Sequence, residues 1–161
     1  MDFLTNTLRR LVQVLAIIAG LSLLTMVLVT CVDVILRKLG HPLPGAYDMV
    51  KIAAGLTIAC GLPYTTAVKG HVAVEYFFHK LGRGGRILAD TVIRLLIMAL
   101  FSLFAWHLMQ YGAGLRRSGE VSMTMQLPVF WVPYVMAFSC AVVVLVTLYH
   151  LFHPGKALLK P

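Results

Sequence analysis

Four long apolar stretches run through the chain, separated by short segments that are rich in glycine, proline and charge. They cover about residues 11–36, 46–68, 87–111 and 128–152. A helix rises about 1.5 Å per residue, so about 20 apolar residues cross the hydrocarbon layer of a bilayer. The pattern therefore predicts an all-α membrane protein, with a single four-helix transmembrane domain over residues 1–161.

The segment between the second and third spans, residues 69–86, is polar but keeps a helical period. Apolar side chains recur at i, i+3, i+4 and i+7, as Val74, Phe77, Phe78 and Leu81. A helix with one apolar face and one polar face lies along a membrane surface. We therefore expect a short amphipathic interfacial helix between the second and third transmembrane helices.

Composition supports a membrane protein and excludes a soluble domain. Hydrophobic residues make up 60% of the chain and charged residues 12%, whereas a soluble domain is about 25% charged. The net charge of +8 lies mostly in short stretches between the apolar runs. Since no basic stripe carries interleaved aromatic residues, we expect membrane lipid and no nucleic acid as a partner.

The basic residues also predict which way the helices run. With the N-terminus in the cytoplasm, the inner segments hold Arg9, Arg10, Lys69, Lys80, Arg83, Arg86, Lys156 and Lys160. The outer segments then hold Arg37, Lys38, Arg116 and Arg117. Because cytoplasmic loops carry the excess of lysine and arginine, both termini are expected in the cytoplasm.

Charged residues within the apolar spans are costly and mark either pairing or function. One group lies near the outer surface: Asp33, Arg37, Asp48 and Lys51. A second group, near the inner surface, has i, i+4 spacing: Arg86, Asp90 and Arg94. We expect both groups to form structural charge pairs or partner contacts. The middle of every span lacks the carboxylate that a proton or ion relay needs, which argues against a transport pathway within this chain alone.

Small residues in the second span predict close helix packing. Gly55 and Ala59 lie one turn apart on the same face. Because lipid is as apolar as leucine, membrane helices associate through close packing and polar contacts. This face is therefore expected to pack against another helix, either in this chain or in a partner.

No pattern for catalysis, a cofactor or a metal stands out. His107 and His150 lie on helices as haem ligands do, but the predicted topology places them toward opposite membrane surfaces. His71, Glu75 and His79 have ligand chemistry at helical spacing but form an incomplete set, and a solvated polar face is the commoner explanation. The sequence therefore predicts no enzyme, no catalytic residues, no cofactor and no metal site.

Five short motifs in a fixed order resemble a known family. They are Asp33-Val34-x-x-Arg37, Pro44-Gly45-Ala46-Tyr47-Asp48, Gly70-His71-Val72-x-Val74-Glu75, Gly119-Glu120-x-Ser122 and Leu127-Pro128-x-x-Trp131. In this order they resemble the small membrane subunit (Q, or DctQ-like) of tripartite ATP-independent periplasmic (TRAP) transporters. Asp48 and Glu75 depart from the pattern, where the family more often has Glu and Asp, but the charge is kept at both positions.

The resemblance implies a role and partners. Such transporters import organic acids into bacteria with sodium, and a periplasmic substrate-binding protein captures the acid. A large membrane subunit holds the substrate and sodium sites. The small subunit, in the inner membrane, is similar to a fixed scaffold that braces the large one and binds no substrate itself.

Three alternatives remain open from the sequence. The first is a haem- or quinone-binding membrane anchor of a respiratory enzyme, which a haem spectrum would reveal. The second is a small drug exporter working as a dimer, which usually needs an acidic residue deep in the membrane; Asp33 lies too near the end of its span. The third is a structural assembly protein with no transport partner.

Overall fold

The structure is a computed structural model that describes residues 2–68 and 83–152. Four helices make up most of this part of the chain: α1 (Asp2–Lys38), α2 (Ala46–Ala67), α3 (Arg83–Ser118) and α4 (Trp131–Phe152). Residues 39–45 connect α1 to α2, and residues 119–130 connect α3 to α4. The prediction of an all-α protein is confirmed for the described residues.

The four helices form a row in the order α1, α2, α4, α3. Helix α1 packs along α2, α2 packs along α4, and α4 packs along α3, whereas α1 and α4 scarcely touch. The buried core lies where the first three helices of this row meet, and it consists of Val12, Leu15, Ala19, Cys60, Ala67, Val142 and Val146. Helices α1 and α3 therefore form the two edges of the row and leave long apolar faces uncovered.

Both connections lie at one end of the row, which we call the hairpin end. The α3–α4 connection reaches the first turn of α2, because the Asp48 carboxylate accepts hydrogen bonds from Thr124 and Met125. At the opposite end, the Arg94 guanidinium donates a hydrogen bond to the backbone carbonyl of His150. Each connected pair of helices is thus antiparallel, and neither end relies on covalent links alone.

Three of the four described helices are long and apolar enough to cross a membrane: α1, α3 and α4. Helix α2 has 22 residues, which is long enough to cross a membrane. Its composition is therefore what distinguishes it from the other three helices. It contains two charged side chains, three threonines and two glycines among its apolar residues. The crossing by α2 stays a prediction. The predicted interfacial helix, with Glu75 and His71, lies outside the described residues.

The ends of the helices differ from the predicted spans. The third span was expected to end near residue 111, yet α3 continues to Ser118 and runs through Gly112 and Gly114. It ends at Gly119, whose φ of 65° is the left-handed conformation that closes helices. Helix α4 begins at Trp131, three residues later than expected. The reason is that Pro128 pairs with Val121 in an isolated β-bridge.

Candidate functional site

Motif residues that are far apart in the sequence come together at the hairpin end. Pro44 and Gly45 precede α2, and a second set surrounds the α3–α4 connection: Gly119, Glu120, Ser122, Pro128 and Trp131. Residues 124 and 125 of that connection contact the start of α2. The hairpin end is therefore a single structural unit in which three of the sequence motifs meet.

Asp48 joins the start of α2 to the α3–α4 connection. Its side chain is buried, and Oδ2 accepts the backbone N–H of Thr124 at 2.9 Å and that of Met125 at 3.2 Å. Two N–H donors on one oxygen stabilise a carboxylate away from bulk water. Lys51, from the same charge group, is exposed and lies beside a cavity. Asp48 thus anchors a loop, and a carboxylate is suited to this because it accepts more than one hydrogen bond.

Position 45 requires glycine, because of both its backbone conformation and its neighbouring atoms. Its φ is 82°, in the left-handed region that side chains other than glycine rarely adopt. A Cβ atom placed there would lie 2.3 Å from Cγ of Met125. The loop residue that Asp48 holds in place therefore sits directly against this glycine. The glycine before Asp48 is explained by this tight approach of the loop to the helix.

Ser122 closes the α3–α4 connection on itself. Its N–H donates to the Leu127 carbonyl at 2.9 Å, and its own carbonyl accepts the Gln126 N–H at 3.2 Å. Its hydroxyl accepts the Leu127 N–H at 3.3 Å. Gln126 takes a positive φ of 52° to complete this turn. The result is a small hairpin that presents the Thr124 and Met125 amides to Asp48.

Asp33 plays a similar part in the α1–α2 connection. Oδ2 accepts a hydrogen bond from Arg37 Nη2 at 2.7 Å, and Oδ1 accepts the Leu43 N–H at 3.1 Å. The Asp33 side chain is 13% exposed and that of Arg37 is 70% exposed. The outer charge group therefore makes two separate sets of contacts. Asp33 and Arg37 form an ion pair, whereas Asp48 binds backbone amides.

A cavity of about 310 Å³ opens at the hairpin end between α2, α3, α4 and the 119–130 connection. Three charged side chains line it: Asp48, Lys51 and Glu120. Its deeper wall is apolar and includes Ile52, Val132 and Met136. Gly55 also lines it, and a Cβ added to Gly55 would meet no atom of the described residues within 4 Å.

Within this chain, α3 packs closely against α4 at Gly112. Ala59 is buried, but Gly55 faces the cavity, so the Gly55 contact with a partner stays a prediction. A Cβ on Gly112 would lie 3.2 Å from Cζ of Tyr134, tighter than an ordinary contact. Gly112 thus brings α3 against the Tyr134 ring of α4. The sequence analysis missed this contact, because Gly112 lies just beyond the predicted end of the third span.

The second charge group is only partly within the described side chains. Arg94 lies on α3 and donates to the His150 carbonyl on α4. Residues 86 and 90 lie in the first turns of α3, but their side chains are outside the described part, as are His71 and Glu75. Among the described residues, no group of three or more His, Cys, Asp or Glu side chains could hold a metal ion.

Comparison with known families decides the relationship that the motifs suggested. Residues 26–155 match the family model described as "Tripartite ATP-independent periplasmic transporters, DctQ component". The match includes the two hairpins and all of α2, α3 and α4. This chain belongs to the DctQ family. Searches of curated proteins and of solved structures found no match.

Membership of the DctQ family makes this protein the small membrane component of a TRAP transporter. The family is a transporter component and not an enzyme family. The alternative of a haem- or quinone-binding anchor has no support. His107 and His150 belong to α3 and α4, and His150 lies opposite Arg94. Since His107 is thirteen residues beyond Arg94, it is roughly 20 Å further along α3.

Proposed function

We propose that this DctQ-family protein is the scaffold subunit of a sodium-coupled TRAP transporter that imports organic acids. It braces a large transport subunit in the bacterial inner membrane and is not itself the substrate pathway. A periplasmic binding protein delivers the acid, and the sodium and substrate sites belong to the large subunit. Both termini of this chain lie in the cytoplasm, so the hairpin end faces the periplasm.

The distribution of charge along the helices supports a scaffold role. No Asp, Glu, Lys or Arg occurs between Arg10 and Asp33 in α1, after Lys51 in α2, between Arg94 and Arg116 in α3, or anywhere in α4. Ion and proton pathways through membranes use such groups near the bilayer midplane. The carboxylates at the hairpin end, Asp33 and Asp48, are engaged in holding connections together.

The shape of the row supports the same role. The most apolar stretch of α3 has none of its residues buried, and that of α1 has 11% buried. A row of four helices encloses no central channel, since each helix packs mainly on its neighbours in the row. It is suited to covering the side of a larger membrane protein. The proposal rests on one observation: the four helices form a row, and the central turns of each helix contain no charged residue.

Reconstitution in liposomes tests the proposal. Three preparations are compared under an inward sodium gradient: this chain alone, the complex with the large subunit, and the large subunit alone. The substrate is the organic acid that stabilises the cognate binding protein in a thermal-shift screen. We expect uptake only with the complex and the loaded binding protein. Uptake by this chain alone would disprove the scaffold role, and full uptake by the large subunit alone would show that no brace is needed.

A further inference from the structure

The edge helix α3 carries two polar side chains on a face that no helix of this chain covers. His107 and Gln110 are exposed, and neither side chain makes a hydrogen bond within the part of the chain that the structure describes. They are one turn apart and therefore share a face. They also lie among the exposed apolar residues of α3, whose most apolar stretch has no buried residue.

The depth of these side chains makes their exposure costly. His107 lies thirteen residues after Arg94 and nine before Arg116. These separations correspond to roughly 20 Å and 13 Å along the helix axis, and the hydrocarbon layer is about 30 Å thick. With charged groups at both ends of this stretch, His107 lies within hydrocarbon. Lipid chains offer no hydrogen-bond partner, so polar groups at this depth face protein.

The exposed face also has the spacing of a helix-packing seam. Its residues alternate at intervals of four and three: Leu96, Leu100, Leu103, His107, Gln110 and Gly114. All six are exposed in this chain. Alternation of four and three is the spacing with which one helix packs along another over several turns. At one end of the seam, a Cβ on Gly114 would meet no described atom within 4 Å, so another backbone can approach there.

The opposite face of α3 is already occupied, which leaves this seam as the free side of the helix. Arg94 and Gly112 face α4, as their contacts with His150 and Tyr134 show. Leu115 is buried on the same side. The seam lies on the other side of α3, at the edge of the row. A partner docked there would extend the row without disturbing any contact within this chain.

We propose that the seam is the docking face for a transmembrane helix of the large transport subunit, and that this helix carries a hydrogen-bonding side chain at the depth of His107 and Gln110. The inference rests on the proposed function, because it needs a large membrane partner. It names the surface of this chain that the partner uses. Hydrogen-bond complementarity selects a protein helix over lipid, and membership of a multi-component family selects a different subunit over a second copy.

Photo-crosslinking in the intact complex tests the docking face. A photo-reactive phenylalanine analogue is placed at Leu103, within the seam, or at Met109, on a flank of the same helix. The two positions are matched, being 57% and 52% exposed. We expect crosslinks to the large subunit from Leu103, at least fivefold more than from Met109. Crosslinks from Leu103 to a second copy of this chain, or none in a complex that still co-purifies, would overturn the inference.

A polar-to-apolar double variant provides an independent readout. His107→Leu with Gln110→Leu would suit a lipid-facing surface better than the wild type. Each interhelical hydrogen bond in a membrane contributes about threefold in stability, so we expect several-fold lower recovery of the complex and an unchanged melting temperature of the isolated chain. Unchanged or higher recovery would overturn the inference. If the wild-type chain fails to co-purify with the large subunit at all, the proposed function fails and the inference fails with it.

Discussion

The Asp48 carboxylate accepts the backbone N–H of Thr124 at 2.9 Å, although the two residues are 76 positions apart in the sequence. This contact joins the start of α2 to the loop that precedes α4. A connection of twelve residues has many conformations, and the bond to Asp48 selects one of them. The contact between α2 and the 119–130 connection therefore depends on a carboxylate that accepts backbone N–H groups, not on a charge pair.

Removal of the Asp48 carboxylate should loosen this loop. Asp48→Ala loses two hydrogen bonds to a charged acceptor and is expected to destabilise the chain by about 2 kcal/mol, since the released amides can find water. Asp48→Asn should cost less because its amide oxygen still accepts. Thermal unfolding and hydrogen exchange at Thr124 and Met125 measure both effects. Glu120→Gln, at an exposed side chain of the same cavity, is the control and should change neither quantity.

A double-mutant cycle should show that Asp33 and Arg37 contribute unequally to the stability of the chain. Asp33 accepts from both Arg37 and the Leu43 backbone, whereas Arg37 is largely exposed. We expect Asp33→Ala to cost more stability than Arg37→Ala, and the pair to couple by about 0.5 kcal/mol, as exposed ion pairs do. Melting temperatures of the two single variants and the double variant supply the cycle. Equal losses in the two single variants would contradict the assigned Leu43 contact.

The helices were predictable from the sequence because apolar runs of this length have few other stable arrangements in a membrane chain. The end of α3 was not, because Gly112 and Gly114 resembled a loop signal, whereas α3 continues through both and packs against Tyr134 at Gly112. The order of motifs predicted the family. The hydrogen bonds from Thr124 and Met125 to Asp48 could not be predicted, because a pattern of side-chain charges does not show where backbone N–H groups will lie.

A large side chain should destabilise the chain far more at Gly112 than at Gly55 or Gly114. Gly112→Leu would push α3 away from the Tyr134 ring, and overpacking of this kind costs about 1–3 kcal/mol. Gly55→Leu and Gly114→Leu enter open space within this chain, so they should leave the melting temperature of the isolated chain unchanged. If Gly55→Leu nevertheless lowers recovery of the complex with the large subunit, the Gly55 face contacts the partner. A melting temperature of Gly112→Leu equal to wild type would contradict the close approach.

Gly45 and Gly40 provide a matched pair that separates backbone strain from collision. Gly45 has a φ of 82° and Gly40 has a φ of 83°. Only at Gly45 would an added Cβ collide with an atom of another residue. Gly40→Ala should therefore cost only the left-handed strain, about 1 kcal/mol. Gly45→Ala adds the clash with Met125, so we expect a loss at least about 1 kcal/mol larger.

Truncation of the clashing side chain supplies the decisive comparison. Met125→Ala should restore most of the difference between the two glycine variants when combined with Gly45→Ala, and should do nothing for Gly40→Ala. Chemical denaturation of the purified chain in detergent gives all the values. Equal losses at the two glycines, or no rescue by Met125→Ala, would mean that the 119–130 loop does not rest against the start of α2.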